Sequence, residues 1–184
     1  MLSCYRVLDL SDEKGQYCGK LLADLGCDVV KIEKPGGDQA RSIGPFYGDE
    51  HDPEKSLFWL AYNTNKRSVT LDIETSEGRE AFRKLVSSSD VVLESFAPGY
   101  LDKLGLGFKS LREINPGVIM ASITPFGQTG PYKDYSGPDI VVSAMSGFMY
   151  QHGYADDMPL RFSAPQSYLL ASTDAAQGVV IALY

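Results

Sequence analysis

The segment between Tyr5 and Glu33 constrains the fold of this chain more than any other. Residues 5–10 predict a short strand, residues 15–25 predict a helix with its leucines on one face, and residues 27–33 predict a second strand after a turn at Gly26. Two strands separated by one helix form a βαβ unit, because parallel strands need a crossover connection of this length. The sequence therefore predicts a parallel sheet covered by helices.

The same alternation continues along the chain. The patterns predict strands at 68–72, 90–94 and 118–123, and helices at 56–62, 75–86, 100–104, 108–114 and 139–149. Residues 34–38 form a predicted turn, and the segment to about Glu54 is rich in Gly, Pro and charge, which indicates a long excursion from the sheet edge. This repetition indicates the α/β class.

Composition narrows the class of protein. A chain of 184 residues with a net charge of −7 and no run of Lys or Arg argues against nucleic acid or an anionic membrane as the main partner. Cys4, Cys18 and Cys27 are odd in number and fit no ligand spacing, which indicates reduced thiols. With no signal-peptide pattern and no apolar run of membrane-spanning length, we expect a cytoplasmic protein.

The carboxyl ends of the predicted strands are the expected place for a ligand. Lys34, Arg41 and Lys103 follow or flank these ends and each offers a charge to one phosphate group, while Phe96 offers a ring for stacking on a base. The alternative is an ordinary solvated rim of scattered charges. A dinucleotide site with Glu33 on the ribose is disfavoured, because residues 11–19 lack G-x-G-x-x-G and carry two acids that would repel a pyrophosphate.

Other common site patterns are missing from the sequence. It contains no P-loop, zinc-ligand pattern or nucleophile-elbow motif, and nothing places His51 or His152 in a catalytic arrangement.

The segment 166–184 carries a single carboxylate, Asp174, among apolar and small residues. From Asp174 onward the pattern is that of a buried helix. Two interpretations stay open: either Thr173 or Asp174 is the helix N-cap, or the acid lies in a dry pocket as a nucleophile or base. The helical pattern has no stop signal before Tyr184, which suggests a fragment of a longer polypeptide.

Several motifs along the chain are similar to those of one known family. They are Val7-Leu-Asp-Leu-Ser11, the run from Leu22 to Glu33, Pro35-Gly-Gly-Asp38, the runs 65–72 and 90–99, Asn115-Pro116 and Gly127-Gln-Thr-Gly-Pro131. In this order they resemble the family III CoA-transferases, a group that includes formyl-CoA and carnitine CoA-transferases and the α-methylacyl-CoA racemases. The resemblance covers the N-terminal part of the family's longer polypeptide.

The resemblance implies a Rossmann-like parallel sheet flanked by helices, in the large domain of an interlocked homodimer, with residues 1–184 as its N-terminal CoA-binding portion. It also implies that Asp174, in the sequence Asp174-Ala-Ala-Gln-Gly178 at the start of a helix, is the nucleophile. Its carboxylate would attack an acyl-CoA to form a mixed anhydride and then an aspartyl-CoA thioester, from which a small carboxylic acid takes the CoA. This implied exchange between carboxylate and thiolate needs no metal and no redox cofactor.

The CoA contacts that the resemblance implies are Lys34, Leu71, Ser95, Phe96 and Lys103. Ser95 and Lys103 stand where relatives often have Asn and Arg. The first loop, Lys14-Gly-Gln16, departs further from the family's Gly-Pro pattern and is one residue shorter, so the acyl specificity stays open.

Two alternatives accompany this hypothesis. An acyl-CoA racemase needs a second base, and the racemase branch places His where this chain has Pro138, which has no proton to exchange. Some relatives lack an acid at the Asp174 position, so the third candidate is a non-catalytic CoA-binding subunit of a heteromer.

Overall fold

The computed structural model describes residues 1–184 and contains five strands and seven α-helices. In chain order they are β1 (Arg6–Asp9), α1 (Gln16–Asp24), β2 (Asp28–Glu33), α2 (Leu57–Asn63), β3 (Arg67–Thr70), α3 (Ser76–Val86), β4 (Val91–Glu94), α4 (Tyr100–Lys103), α5 (Phe108–Ile114), β5 (Ile119–Ser122), α6 (Asp139–Met145) and α7 (Gln166–Leu183). Short 3-10 helices lie at Gln39–Ser42, Tyr47–Asp49 and Phe148–Gln151.

All five strands pair in parallel, in the order β3-β2-β1-β4-β5. In this register Leu8 at the centre of the sheet lies opposite Val30 on one side and Val92 on the other. The chain builds the sheet outward from β1 through β2 to β3, then returns to place β4 on the other side of β1. The strand order therefore reverses between β1 and β4, and ligands of open α/β sheets bind outside the carboxyl ends at this point.

The alternation of side chains along the strands produces one hydrophobic core on each face of the sheet. Val7 and Val29 face α1 and α7, whereas Leu8 and Ile32 face the side covered by α3 and α5. Both cores contain fully buried residues, which confirms the predicted sheet with helices on both faces.

Helix α3 begins where the sequence predicted. The hydroxyl of Thr75 accepts a hydrogen bond from the backbone N–H of Gly78 at 3.0 Å, as an N-cap does. Gly78 has a packing reason to be glycine, because a Cβ atom at this position would lie 1.7 Å from the carbonyl oxygen of Asp72. The cap and the close approach together fix the turn between β3 and α3.

Two predicted helix boundaries were wrong. Helix α6 ends at Met145 instead of residue 149, because Gly147 adopts a left-handed conformation with φ of 79° and a separate 3-10 helix follows. Helix α7 begins at Gln166, with Pro165 preceding it, so Asp174 lies inside the helix. The hydroxyl of Thr173 donates to the carbonyl oxygen of Leu169 at 2.9 Å, which also excludes Thr173 as an N-cap.

Helix α7 is also less buried than predicted. Its buried residues are Ser172, Ala176 and Val179, which pack toward α1 and β5, while the remaining sides are partly or fully exposed. None of the helices combines the length and the apolar character needed to cross a lipid bilayer.

Candidate functional site

A cleft of about 270 Å³ lies at the carboxyl ends of β1, β2, β3 and β4. We call it the first cleft. Leu10, Ile32 and Ile73 give it an apolar floor, and polar residues surround them at the rim. Three of the predicted CoA contacts, Lys34, Leu71 and Phe96, line this cleft together.

A second cleft of about 510 Å³ lies on the other side of Phe96, which borders both. Polar and apolar residues both contribute to its lining, which comes from the loops after β1, β4 and β5, together with one residue of α7, Tyr168. Burial raises the pKa of Glu13 in this lining, and the neighbouring Asp12 raises it further. Phe96 borders both clefts, and the loop after β1 contributes Asp12 to the first cleft and Glu13 and Lys14 to the second, so the clefts are neighbours along the strand ends.

Ser95 joins the loops after β1 and β4 at the point where the strand order reverses. It is 4% exposed, and its hydroxyl oxygen accepts from the backbone N–H of Asp12 at 2.8 Å and donates to the Oδ1 atom of Asp12 at 2.7 Å. Asp12 also forms an ion pair with Lys14. Ser95 thus shapes the boundary between the clefts through its contacts with Asp12.

Arg41 is held by other protein groups in this structure. Its guanidinium donates to both carboxylate oxygens of Glu33, at 2.7 and 3.0 Å, and to Glu54 at 2.8 Å, and it stacks on Trp59 at 4.0 Å from the ring centre. Arg41 does not line either cleft. Two carboxylates offset its charge, so its geometry is that of a clamp on the loop after β2.

Glu33, the residue that a dinucleotide site would use for the ribose, is saturated by contacts within the chain. Burial alone would raise its pKa, but hydrogen bonds from Arg41, Ser68 and the backbone N–H of Asp38 outweigh burial and lower the pKa to about 2. The structure therefore gives Glu33 a structural position and supports the exclusion of a dinucleotide site.

Lys34 and Lys103 are the predicted cations that have no carboxylate within ion-pair distance. Both are exposed, and Lys34 lines the first cleft directly. Lys103 lines neither cleft but lies one turn after Tyr100, whose ring packs 4.8 Å from that of Phe96. The hydroxyl of Tyr100 donates to Glu74 at 2.7 Å, and this hydrogen bond raises the pKa of Tyr100 to about 12.

Helix α7 approaches the second cleft from the side of the first loop. The buried hydroxyl of Ser172 donates to the carbonyl oxygen of Lys14 at 3.1 Å. Asp174 lies on the other side of the helix, is exposed, and has no hydrogen-bond or ion-pair partner within residues 1–184. A Cβ atom added at Gly178, one turn later, would meet nothing within 4 Å. The dry pocket expected around Asp174 is thus not formed by residues 1–184.

The sequence patterns missed one functional candidate, a group of buried charges under the two clefts. Asp9 is fully buried, and Lys31 and Lys66 both approach its carboxylate. Burial opposes ionisation of Asp9, but the two lysines outweigh it and keep the pKa low. A signal was present, since Asp9 and Lys31 interrupt predicted buried strands at core-facing positions. No group of three or more His, Cys, Asp or Glu side chains is arranged to hold a metal ion.

The fold and the clefts define an α/β protein with two clefts at the reversal of strand order. Residues 2–184 match CoA-transferase family III, and the chain belongs to this family. It is 43% identical over 182 residues to the succinyl-CoA:(R)-benzylsuccinate CoA-transferase subunit BbsE of Thauera aromatica, covering 99% of this chain and 44% of that protein. It is 41% identical over 181 residues to the succinyl-CoA–D-citramalate CoA-transferase of Chloroflexus aurantiacus, covering 97% and 44%.

A solved structure has the same fold. A CAIB/BAIF family protein from Brucella suis superimposes with a TM-score of 0.91 and 38% identity, over 99% of this chain and 48% of that one. The family and the α/β fold that the sequence indicated are therefore confirmed. The chain spans less than half the length of the curated relatives it matches.

Proposed function

We propose that the protein containing this chain transfers CoA between an acyl-CoA and a carboxylic acid, with Asp174 as the nucleophile. Membership of CoA-transferase family III over residues 2–184 is the observation that carries this proposal. The relatives named above act on succinyl-CoA by their names, which supports the same class of reaction here. In this proposal, residues 1–184 form the N-terminal CoA-binding portion of the large domain.

CoA lies across the two neighbouring clefts, which share Phe96 as a border. Its phosphates meet the free cations Lys34 and Lys103, and its adenine packs between Leu71 and Phe96 over the apolar floor of the first cleft. Ser95 fixes the passage to the second cleft, where the thioester end points toward α7. Arg41 acts by holding Glu33 and the loop after β2 instead of by contacting the ligand.

The reaction proceeds through four acyl-transfer steps, two for the donor and two for the acceptor. Its carboxylate attacks the thioester carbon of the donor, giving a mixed anhydride and the CoA thiolate, which then attacks the aspartyl carbonyl and releases the donor acid. The acceptor carboxylate attacks the resulting aspartyl-CoA thioester, and the thiolate finally attacks the acceptor acyl carbon. Asp174 is regenerated as a carboxylate, and the exchange between carboxylate and thiolate requires neither a metal nor a redox cofactor.

Water must be kept from the anhydride, and residues 1–184 leave Asp174 exposed. The exposed side of α7 includes Leu170, Gln177, Gly178 and Ile181 around the acid. We propose that a second polypeptide covers this side, as a second copy of the protein or as a homologous subunit. The relative BbsE is named as a subunit, which supports a heteromer. The cytoplasmic location stays a prediction.

The relatives' names make succinyl-CoA the first donor to assay, with a set of small carboxylic acids as acceptors.

Chemical trapping tests the role of Asp174 in the full-length protein. Incubation with acyl-CoA followed by borohydride or hydroxylamine should modify Asp174, and mass spectrometry of the peptides should locate the modification. Asp174→Asn should abolish transfer, whereas Asp157→Asn, an exposed acid in the loop before α7, should leave it unchanged. Modification of another residue, or full activity in Asp174→Asn, would overturn the assignment.

A further inference from the structure

A buried lysine contacts the loops that border the two clefts. Lys31, on β2, is 1% exposed, and its ammonium group donates to the backbone carbonyl of Ser11 in the first loop. Its nearest carboxylate is that of Asp38, with Nζ 3.1 Å from Oδ2, and Asp9 is more distant at 3.9 Å. A lysine is almost never buried to this degree without such partners, so these contacts determine where its charge lies.

The buried Asp9 does not depend on Lys31 as its main partner. Lys66 donates to the other carboxylate oxygen of Asp9 at 2.8 Å, and also to the backbone carbonyl of Gln16 and the side chain of Asn63. Ser11 adds two hydrogen bonds to Asp9, at 2.9 and 2.5 Å. Lys66 and Ser11 are therefore closer partners of Asp9 than Lys31 is, and the shortest contacts of Lys31 are with the loop residues Ser11 and Asp38.

Asp38 belongs to the wall of the first cleft. Asp38 is itself attached to β2 through its side chain and through its backbone, in addition to the contacts of Arg41 with Glu33. Lys31 holds the side chain of Asp38, while the backbone N–H of Asp38 donates to Glu33 at 3.0 Å. Asp38 also accepts a hydrogen bond from the backbone N–H of Ala40 at 2.8 Å, which starts the following 3-10 helix. Without the contact with Lys31, the side chain of Asp38 is no longer attached to β2, while the bonds of the Asp38 backbone and of Arg41 to Glu33 remain.

The contact of Lys31 with Ser11 reaches the opposite wall. Ser11 begins the first loop, whose next residue, Asp12, lines the first cleft and bonds to Ser95. Lys14 of the same loop lines the second cleft and accepts the hydrogen bond from Ser172 of α7. One ammonium group thus connects the walls on both sides of the proposed CoA path.

We propose that Lys31 is a positioning residue for CoA binding, which holds Asp38 and the first loop at the separation that the ligand requires. The proposal rests on the proposed function of the clefts. Lys31 itself lies below the surface and does not line either cleft, so it acts through Asp38 and Ser11.

If the role of Lys31 were purely electrostatic, the expected effect of Asp38→Asn on CoA binding would be the opposite. If Lys31 only added positive charge for the phosphates of CoA, then Asp38→Asn would remove a repelling charge and strengthen binding. If Lys31 positions the wall, Asp38→Asn breaks the same tie and weakens binding. Asn at this position still accepts the hydrogen bond from Ala40 through its side-chain oxygen, so the start of the 3-10 helix is kept.

The experiment measures binding of CoA by calorimetry, and steady-state kinetics with succinyl-CoA, in full-length Lys31→Met, Asp38→Asn and the double variant. Lys20→Met is the matched control, since Lys20 forms an exposed ion pair with Asp24 on α1. We expect each of the three variants to weaken CoA binding and raise KM about tenfold, as expected for losing one charged hydrogen bond, with kcat within about twofold of wild type.

The double variant should bind CoA as weakly as either single variant, because both substitutions remove the same contact, that between Lys31 and Asp38. Tighter binding in Asp38→Asn, or recovery of wild-type binding in the double variant, would overturn the proposal in favour of an electrostatic role. Unchanged KM in Asp38→Asn would also overturn it, and this variant decides the matter if Lys31→Met does not fold, because Asp38 lies at the cleft surface. A wild-type protein that binds no CoA would instead refute the proposed function of the clefts.

Discussion

The hydroxyl of Ser172 donates a hydrogen bond to the backbone carbonyl of Lys14 at 3.1 Å, across 158 residues of sequence. Ser172 is buried on the inner side of α7, two residues before the exposed Asp174. Because successive helical residues are rotated by about 100°, fixing Ser172 against the first loop turns Asp174 away from the core. This contact sets the orientation of the proposed nucleophile relative to the second cleft.

Removing this contact should affect catalysis more than binding. In Ser172→Ala we expect kcat to fall about tenfold or less, KM for acyl-CoA to change little, and the free energy of unfolding to fall by about 1 kcal/mol, the usual value of one such hydrogen bond. Steady-state kinetics and urea unfolding measure these effects. Ser88→Ala is the control, because the exposed hydroxyl of Ser88 donates to the carbonyl oxygen of Leu85 and makes no contact with the clefts or with α7. Equal kcat values in the two variants would contradict the orienting role.

Glycine at position 78 is required by packing. In Gly78→Ala the added Cβ atom would lie 1.7 Å from the carbonyl oxygen of Asp72, and we expect a loss of roughly 1–3 kcal/mol in the free energy of unfolding. Urea unfolding of the full-length protein checks this value. A variant as stable as wild type would show that the turn before α3 adjusts without cost.

Glycine at position 178 should instead be required by the polypeptide or substrate that lies against α7. Nothing in residues 1–184 opposes a Cβ atom there, and alanine is favoured over glycine inside a helix by about 1 kcal/mol. We nevertheless expect Gly178→Ala to lower transfer activity at least severalfold, because the covering polypeptide or the substrate approaches this position closely. Wild-type activity in Gly178→Ala would contradict a close approach at this side of the helix.

The clamp between Arg41 and Glu33 should stabilise the fold in a defined pH range. The pKa of Glu33 is lowered from its ordinary value to about 2, so the folded state favours its ionised form. This contribution is present above the unfolded pKa, near 4.3, and is lost as the pH falls from there toward 2. We expect the stability difference between wild type and Glu33→Gln to narrow between pH 5 and pH 3. A constant difference, measured by urea unfolding, would refute this linkage.

The strands and most helices could be predicted from the sequence, because alternation and the cap at Thr75 are local signals. The start of α7 could not, since Thr173 has the residue type of an N-cap but uses its hydroxyl within the helix. The exposure of Asp174 could not be predicted either, because an apolar helical pattern is the same whether the helix packs within its own chain or against a second chain. The tie between Lys31 and Asp38 depends on a loop conformation that no periodic pattern encodes.

Transfer of oxygen from the acceptor acid to Asp174 is the most direct test of whether Asp174 forms the mixed anhydride. The full-length protein is supplied with unlabelled acyl-CoA and an acceptor acid labelled with oxygen-18 in its carboxylate, and the peptide containing Asp174 is weighed by mass spectrometry. The anhydride mechanism leaves an acceptor oxygen on the aspartate each time the thiolate attacks the acceptor acyl carbon. If Asp174 is the nucleophile, one of its carboxylate oxygens is replaced by oxygen-18, and we expect the peptide to be heavier by that replacement. Turnover with no label at Asp174 would contradict it.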